Sequence, residues 1–565
     1  MLRERIKKDL ELVLKKLRLD GAGVEVFRTT DLKNGDYTSN ISLKLSHKNE
    51  QSPMEIAKKI ADSYGNQPYI SKLEVKEPGF INFFVGDEVW QSEIEKVLKQ
   101  KGLNLKTTDR KVIVEFTDPN PFKEFHIGHL YSNIVGESIS RLWEAVGANV
   151  KRANYQGDVG MHVAKTIWAI PRVLEASGET FGQQEKKDLA ARVFFLGQAY
   201  SLGAKEFEAS EEVKGEIAQL NKKIFEKDSE VLPIYEKGKK WSLEYFEQIY
   251  KRLGTKFDFF YFESEVGEVG AKLVLEFLKK GVFEESKGAV IFPGEKFGLH
   301  SRVFINSLGL PTYEAKELGL APTKYKDFEY DLSVIVTGNE INDYFRVLLA
   351  ALSKVNPELA EKTKHVSHGM VRMPGGKMSS RLGNVILGTW VLDEAKKRVV
   401  EQFKVDDSLA ETIGVGSVKY AFLKGNVGQD INFSFEEAIS LDGNSGPYLQ
   451  YAHARCKSVL TRGQRSEVRG QEIDLSNMEK EEEALLSTLG HFEEVVIDAA
   501  NGFAPNVIAK FLFEVAQQFN AFYNNCPVLK AQEKERSRRL FLTAATASVL
   551  EKGLWLLGIT APEEV

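Results

Sequence analysis

EFTDPNPFKEFHIGHLYSN, residues 115–133, is the end of a strand running out into a helix. The β-branched, apolar run Lys111-Val112-Ile113-Val114-Glu115-Phe116 predicts a short buried strand. Pro119 and Pro121 then break regularity, and Leu130, Ile134, Ile139, Leu142 and Trp143 recur at helical spacing from about Gly128 onward. His126 and His129 therefore fall at a helix N-terminus, where free N–H groups and the positive dipole end favour phosphate. Gly128 removes a side chain, so a flat ring can lie against backbone. An isolated His-x-x-His is more often a capped or packed helix start. A zinc reading needs a third ligand, and neither that nor a cysteine cluster lies nearby.

A second stretch, HGMVRMPGGKMSSRLGN at residues 368–384, sharpens the first. Pro374-Gly375-Gly376 forms a glycine-rich loop presenting Lys377, Ser379, Ser380 and Arg381. Adjacent glycines let such a loop move, and Lys377 can follow a departing pyrophosphate as a point charge. Alone, the loop would be an ordinary solvated basic segment. About 250 residues from His129, it becomes the second of two jaws closing on one ATP triphosphate.

The chain has 565 residues with 42% hydrophobic content, enough for three or four packed units. A net charge of −5 excludes a uniformly basic nucleic-acid coat, so RNA contact must come from local patches. Cys456 and Cys526 are the only cysteines, which rules out a cysteine zinc site and suits a reducing compartment. The chain opens on a charged amphipathic helix and holds no apolar run of membrane-spanning length. A soluble, cytoplasmic monomer without membrane contact is expected.

Residues 1–105 read as α+β: a helix to Leu19, strands at Val24–Arg28 and Ile41–Leu45, a helix at Pro53–Tyr64, and strands at Leu73–Val75 and Phe80–Val85. A polar linker, Lys106–Arg110, leads into alternating strands and helices over 106–387, which predict a Rossmann-type doubly wound parallel sheet. A charged helical insertion, about 183–256, interrupts it and reads as a solvated surface. Leu332–Gly338 is the clearest later strand. Residues 388–445 read as a helical stem and 446–565 as an all-α domain. There, Ile508, Phe511, Leu512, Val515 and Phe519 form a packing stripe.

His126–His129 with Lys377–Ser380 resembles the class I aminoacyl-tRNA synthetase signature, and the surroundings resemble arginyl-tRNA synthetases. The likeness runs nearly end to end, through Gly35–Asn40, Pro78–Asn82, Asn154–Gly160, Glu263-Ser264, Pro311–Tyr313, His368–Val371 and Gly446–Arg455. The resemblance implies activation of L-arginine by ATP with Mg²⁺, then transfer to tRNA(Arg), with no tightly bound cofactor. It implies that His126 and His129 stabilise the triphosphate, with Gly338, Glu340, the backbone of His368, Gly369, Met370 and Val371, and Ser379 around the nucleotide. Lys377 would follow pyrophosphate. Ser380 replaces the usual second lysine, Arg381 follows it, and Lys123 matches a lysine that compensates for this. Glu115, Asp118, Asn120, Glu263, Tyr313 and Glu317 would line the arginine pocket, because a guanidinium fork pairs best with carboxylates. Glu317 stands where the family usually has Asp, Asp118 where it has Ser, and Glu340 where it has Gln. Asn40 and Phe80 would meet the tRNA corner. Tyr448, Tyr451, His453, Arg455 and the charged Lys530–Arg539 stretch would meet the anticodon loop. Two other readings are a small nucleotidylyltransferase, which lacks the C-terminal domain, and a non-catalytic RNA binder, which should lose one of the two motifs.

Overall fold

The computed structural model describes the chain except residues 20–22, 30, 50, 101, 374–385, 464–472 and 565. Its centre is a five-stranded, all-parallel sheet. In chain order the strands are β1 (Lys111–Glu115), β2 (Asn149–Gln156), β3 (Phe259–Phe262), β4 (Leu332–Gly338) and β5 (Thr363–His368). Their spatial order is β5-β4-β1-β2-β3. The chain thus winds to one side from β1 and returns on the other, which opens a crevice between β1 and β4 at their carboxyl ends. Glu115 ends β1 opposite Ala153 and Ile335, Gln156 pairs with Phe262, and Gly338 pairs with His368. Four of the five strands, all but β2, therefore deliver a predicted site residue, or its neighbour, to one rim.

The helix after β1, Ile127–Ala145, lies buried beneath the sheet and reaches across the molecule. At its far end Ser138 Oγ donates to the carbonyl of Leu556 at 2.8 Å, and Arg141 Nη1 donates to that of Trp555 at 2.9 Å. Both carbonyls belong to the end of the last helix, Glu533–Leu556.

The insertion contains helices Leu189–Ala209, Glu211–Phe225 and Leu232–Leu253. It is more than a solvated surface: Phe195, Leu196, Ile217 and Trp241 pack with Val163 and Ile167 in a separate core. Its charged positions face outward, as the sequence suggests, while its inner face braces the site.

In the N-terminal segment, Pro53–Tyr64 and Phe80–Val85 form as expected. Ile41–Leu45 does not form a strand. It starts the helix Ile41–Asn49, and the strand lies just before it at Tyr37–Ser39. Ile41 and Leu45, both fully buried, lie one helical turn apart, so the short run satisfies a helix face as well as a pleat. This segment packs on the C-terminal helices. Trp90 covers Gly490, where a Cβ would come within 2.2 Å of the indole. Tyr37 donates to Glu494 at 3.0 Å, and Arg3 pairs with Asp498.

The C-terminal part is helical, and the stripe from Ile508 to Phe519 is buried. Two sequence expectations change here. His453 is 1% exposed, and its Nδ1 lies 2.8 Å from the Pro562 carbonyl, so it is packed against the chain end rather than offered to RNA. Arg538 and Arg539 are buried against Glu482, so the Lys530–Arg539 stretch shows less positive charge than its sequence suggests. None of the described helices is long and apolar enough to cross a membrane.

Candidate active site

The loop from β1 to the helix at Ile127 is shaped by its own polar side chains. Thr117, Asp118 and Phe122 all take positive φ (79°, 44° and 68°), costly for residues other than glycine. Neighbouring groups hold this geometry. Thr117 N–H donates to Ser132 Oγ and Tyr155 N–H to Asp118 Oδ1. Gly157 N–H donates to Asn120 Oδ1, and Phe122 N–H to Ser242 Oγ in the insertion. Pro121-Phe122 is thus held by the insertion: Phe122 is buried and covers Gly238, which has no room for a Cβ.

Beside this loop four carboxylates converge. Glu115 ends β1, Asp118 follows it, and Glu263 opens the helix after β3. Glu317 lies in the helix Tyr313–Asp327. The last two helices cross with backbones almost touching, because Gly270 and Gly319 carry no side chains; a Cβ on Gly270 would sit 1.7 Å from the Ala315 carbonyl. That approach brings Glu317 within the electrostatic reach of Glu115 and Glu263.

Two lysines absent from the sequence reading stand among these acids. Lys324, fully buried, bonds Glu115 at 2.5 Å, and Lys316, equally buried, bonds Glu263. The available signal was weak: Lys316 and Lys324 lie eight apart on a helix otherwise rich in Ala, Leu and Gly. Glu317 makes no hydrogen bond or ion pair among the described residues. Burial and Glu115 push its carboxyl well above the ordinary range, and they do the same to Asp118. Asp118 therefore adds less negative charge than its identity suggests. Tyr313 stands at the mouth, 55% exposed, with the Lys316 ammonium 5.1 Å from its ring.

Asp158, also absent from the sequence-derived site, anchors the far wall. It accepts from Ser264 N–H and Oγ, from Tyr235 OH at 2.9 Å and from Lys239 Nζ at 2.7 Å. Tyr235 and Lys239 come from the insertion, which ties that element to the residue after Glu263.

At the other end, His126 and His129 form a reciprocal cap. His126 Nδ1 accepts from the N–H groups of Gly128 (3.1 Å) and His129 (3.3 Å), and His129 Nδ1 accepts from His126 N–H (3.3 Å). The N–H groups expected to be free for phosphate are therefore partly engaged. What the helix start offers instead is two rings stacked at 3.6 Å. Burial and the neighbouring Lys123 lower both histidines, His126 to about 4. A neutral ring whose Nδ1 accepts carries its proton on Nε2, so each ring presents one N–H donor.

Lys123 bridges the two ends, acting electrostatically on both histidines and on Glu263, with Tyr200 of the insertion 5.4 Å away. The Glu340 carboxylate folds over Gly338 and faces His126 and His368. Met370 N–H and C=O are both taken, by Asp430 (2.9 Å) and Ile431 N–H (2.8 Å). In the rest of the proposed adenine segment, His368 pairs with Gly338 in the sheet and its Nδ1 lies 2.8 Å from the Gly369 carbonyl. Lys377, Ser379, Ser380 and Arg381 lie outside the described residues. The chain beyond them returns to the first motif: Ile127 N–H donates to Ile386 C=O at 2.9 Å, and Gly388 N–H to Phe125 C=O at 2.8 Å.

Asn40, Phe80, Tyr448, Tyr451 and Arg455 lie away from this cleft. Phe80 is half-buried, on the strand face it shares with Asn82 and Phe84. The Asn40 side-chain oxygen is buried without a partner. Arg455 lies over the ring of exposed Tyr451 at 4.7 Å and near Tyr523, and Tyr448 OH accepts from Asn520.

Comparison with known proteins agrees with this architecture. Residues 93–435 match the family model for class I (R) tRNA synthetase catalytic domains. Residues 449–565 match the DALR anticodon binding domain, and 1–85 the arginyl tRNA synthetase N-terminal domain. The arginine–tRNA ligase of Fusobacterium nucleatum is 30% identical over 95% of this chain and 94% of its own length. That of Clostridium kluyveri is 29% identical over 100% and 99%. The arginyl-tRNA synthetase structure from Thermus thermophilus superposes with a TM-score of 0.83 at 26% identity, covering all of both chains. The chain belongs to the arginyl-tRNA synthetase family of class I.

Proposed function

We infer that the chain joins L-arginine to tRNA(Arg) in two steps. The arginine carboxylate attacks the α-phosphorus of ATP, forming arginyl-adenylate as pyrophosphate leaves. A terminal ribose hydroxyl of the tRNA then attacks the acyl carbon, and AMP departs. The observation that carries this is the convergence of four carboxylates on one pocket: among the described residues Glu317 makes no hydrogen bond or ion pair, while Glu115 and Glu263 hold one lysine each.

The guanidinium binds Glu317 and the free side of Glu263, with Tyr313 at the mouth, and Asn120 receives the α-amino group. His126 and His129 donate Nε2–H groups to phosphate oxygens, which needs no protein nucleophile, only positioning and charge stabilisation. Lys123 stands between the carboxylate and the phosphates, and Lys377 follows pyrophosphate. ATP would bring Mg²⁺ with it, and the ion would supply positive charge that offsets the phosphates. Asn40 and Phe80 contact the tRNA corner, and Tyr448, Tyr451 and Arg455 the anticodon loop. Buried, free Cys456 and Cys526 suit a cytoplasmic setting, and we expect a monomer.

ATP–pyrophosphate exchange with arginine, with and without tRNA, tests the reading. We expect exchange that requires cognate tRNA. Exchange with arginine alone would remove that dependence but keep the assignment. No exchange and no charging under either condition would sink it.

A further inference from the structure

Lys316 is the least expected group in the pocket. It is a full cation, 3% exposed, in a site meant for another cation. Its Nζ bonds Glu263 Oε2 and lies 5.1 Å from the Tyr313 ring centroid and 5.5 Å from that of Phe225. Glu263 Oε1 is turned the other way. A Cβ on Gly157 would sit 3.0 Å from it and 2.4 Å from Asn120 Oδ1, so both oxygens face one small space beside the Gly157 backbone.

We propose that Lys316 is a positioning residue for arginine: it fixes the Glu263 carboxylate by one oxygen, so that the other faces the substrate. This rests on the reading that Glu263 receives the guanidinium. Two consequences follow from the geometry. The substrate obtains one contact from Glu263, not a bidentate pair, and must take its other from Glu317. Lys316 also supports the charge of a buried acid. Glu263 faces Lys316 from its own pocket wall, Asp158 and Lys123 from the two adjoining loops, and Glu317, Tyr155, Tyr313 and Tyr344 around the rim. Burial raises its carboxyl, Lys316 is the largest opposing influence, and Lys123 adds to it.

Lys316→Met keeps the stem and removes the charge, and Lys316→Arg keeps the charge. Both are assayed as full-length protein by arginine-dependent ATP–pyrophosphate exchange with tRNA, across roughly pH 6 to 8.5, a span around the ordinary histidine range. For Lys316→Met we expect the KM for arginine to rise roughly tenfold, the loss of one charged contact. KM for ATP and kcat should stay near wild type, and the arginine KM should worsen further as pH falls, because Glu263 then takes up a proton. Lys316→Arg should restore the wild-type pH dependence. An unchanged arginine KM in Lys316→Met would overturn the proposal. So would equal rises in both KM values that Lys316→Arg fails to rescue, since that marks a general packing defect. A wild-type protein inactive with arginine would sink the functional reading and this assignment with it. An active wild type beside an indifferent Lys316→Met sinks this assignment alone.

Discussion

The two ends of the cleft handle charge in opposite ways. At the arginine end, Glu115, Asp118, Glu263 and Glu317 are built into packed strands and helices, with Lys316 and Lys324 holding two of them in place. At the other end, the helix start presents two neutral imidazoles that cap each other's backbone, with Lys123 and Glu340 beside them. A cation that must stay bound through the reaction is met by fixed, buried, opposite charge. On the proposed reading, an anion that must leave meets neutral donors, with compensating charge from Lys123 and Lys377. Fixed charge gives selectivity, while neutral donors spare the enzyme a tight hold on its product.

The contrast can be broken most sharply at Lys377. Lys377→Ala should slow exchange by roughly 2.7–4 kcal/mol in the barrier, the usual size of one lost transition-state contact. Arginine binding, followed by equilibrium titration, should hardly change. An equal loss in arginine affinity would merge the two ends into one.

Glu317→Gln tests the other end, with an expected cost of about 1.5–3 kcal/mol in arginine affinity. Stability should move the opposite way. The Glu317 carboxyl is raised above its ordinary 4.5 in the folded protein. Its contribution is therefore present below that value and lost as pH rises through the folded value. The variant should have a higher urea midpoint than wild type at pH 8, and the gain should vanish near pH 4.5. A lower midpoint at pH 8 would mean that Glu317 has a partner when folded.

Away from the cleft, Arg455→Ala should weaken tRNA binding by about 1 kcal/mol, the scale of one exposed cation–π contact. ATP and arginine affinities should remain as they are. His453→Gln should change tRNA binding less, because His453 faces the chain end. A larger effect for His453 would reverse their assignments. The smallest expected effect is on the histidines' titration. With His126 lowered to about 4, its NMR resonances should stay at neutral shifts from pH 8 down to 5.5. A midpoint near 6.5 would make the phosphate end cationic and erase the contrast.

How much of this was legible follows from where each signal sits. The strand Leu332–Gly338 and the helix Pro53–Tyr64 carry their determinants within the segment, a β-branched run in one and a Ser52–Glu55 capping box with Pro53 in the other. The placement of His126 at a helix start was equally local. The helix cap, the bland alternative for these histidines, is present. Ile41–Leu45 misled because its short apolar run fits both periods. The pocket lysines were invisible for a different reason. Lys316 meets an acid 53 residues away and Lys324 one 209 away, and nothing in the local pattern distinguishes them from surface lysines. His453 and Arg538 were read outward because their partners, Pro562 and Glu482, are equally remote in sequence.

The helix Ile127–Ala145 also acts as a shaft. From Ile127 to Arg141 it runs about 21 Å, from the histidine pair to the side chains that bond the carbonyls of Trp555 and Leu556. It is buried along nearly its whole length, and packed interiors transmit strain. A swing of about 3° about that contact would displace His126 by roughly 1 Å, a shift of the size that costs about a hundredfold in rate when reacting groups are misaligned. On the proposed reading, the last helix of the chain would thus bear on phosphate geometry without touching the nucleotide.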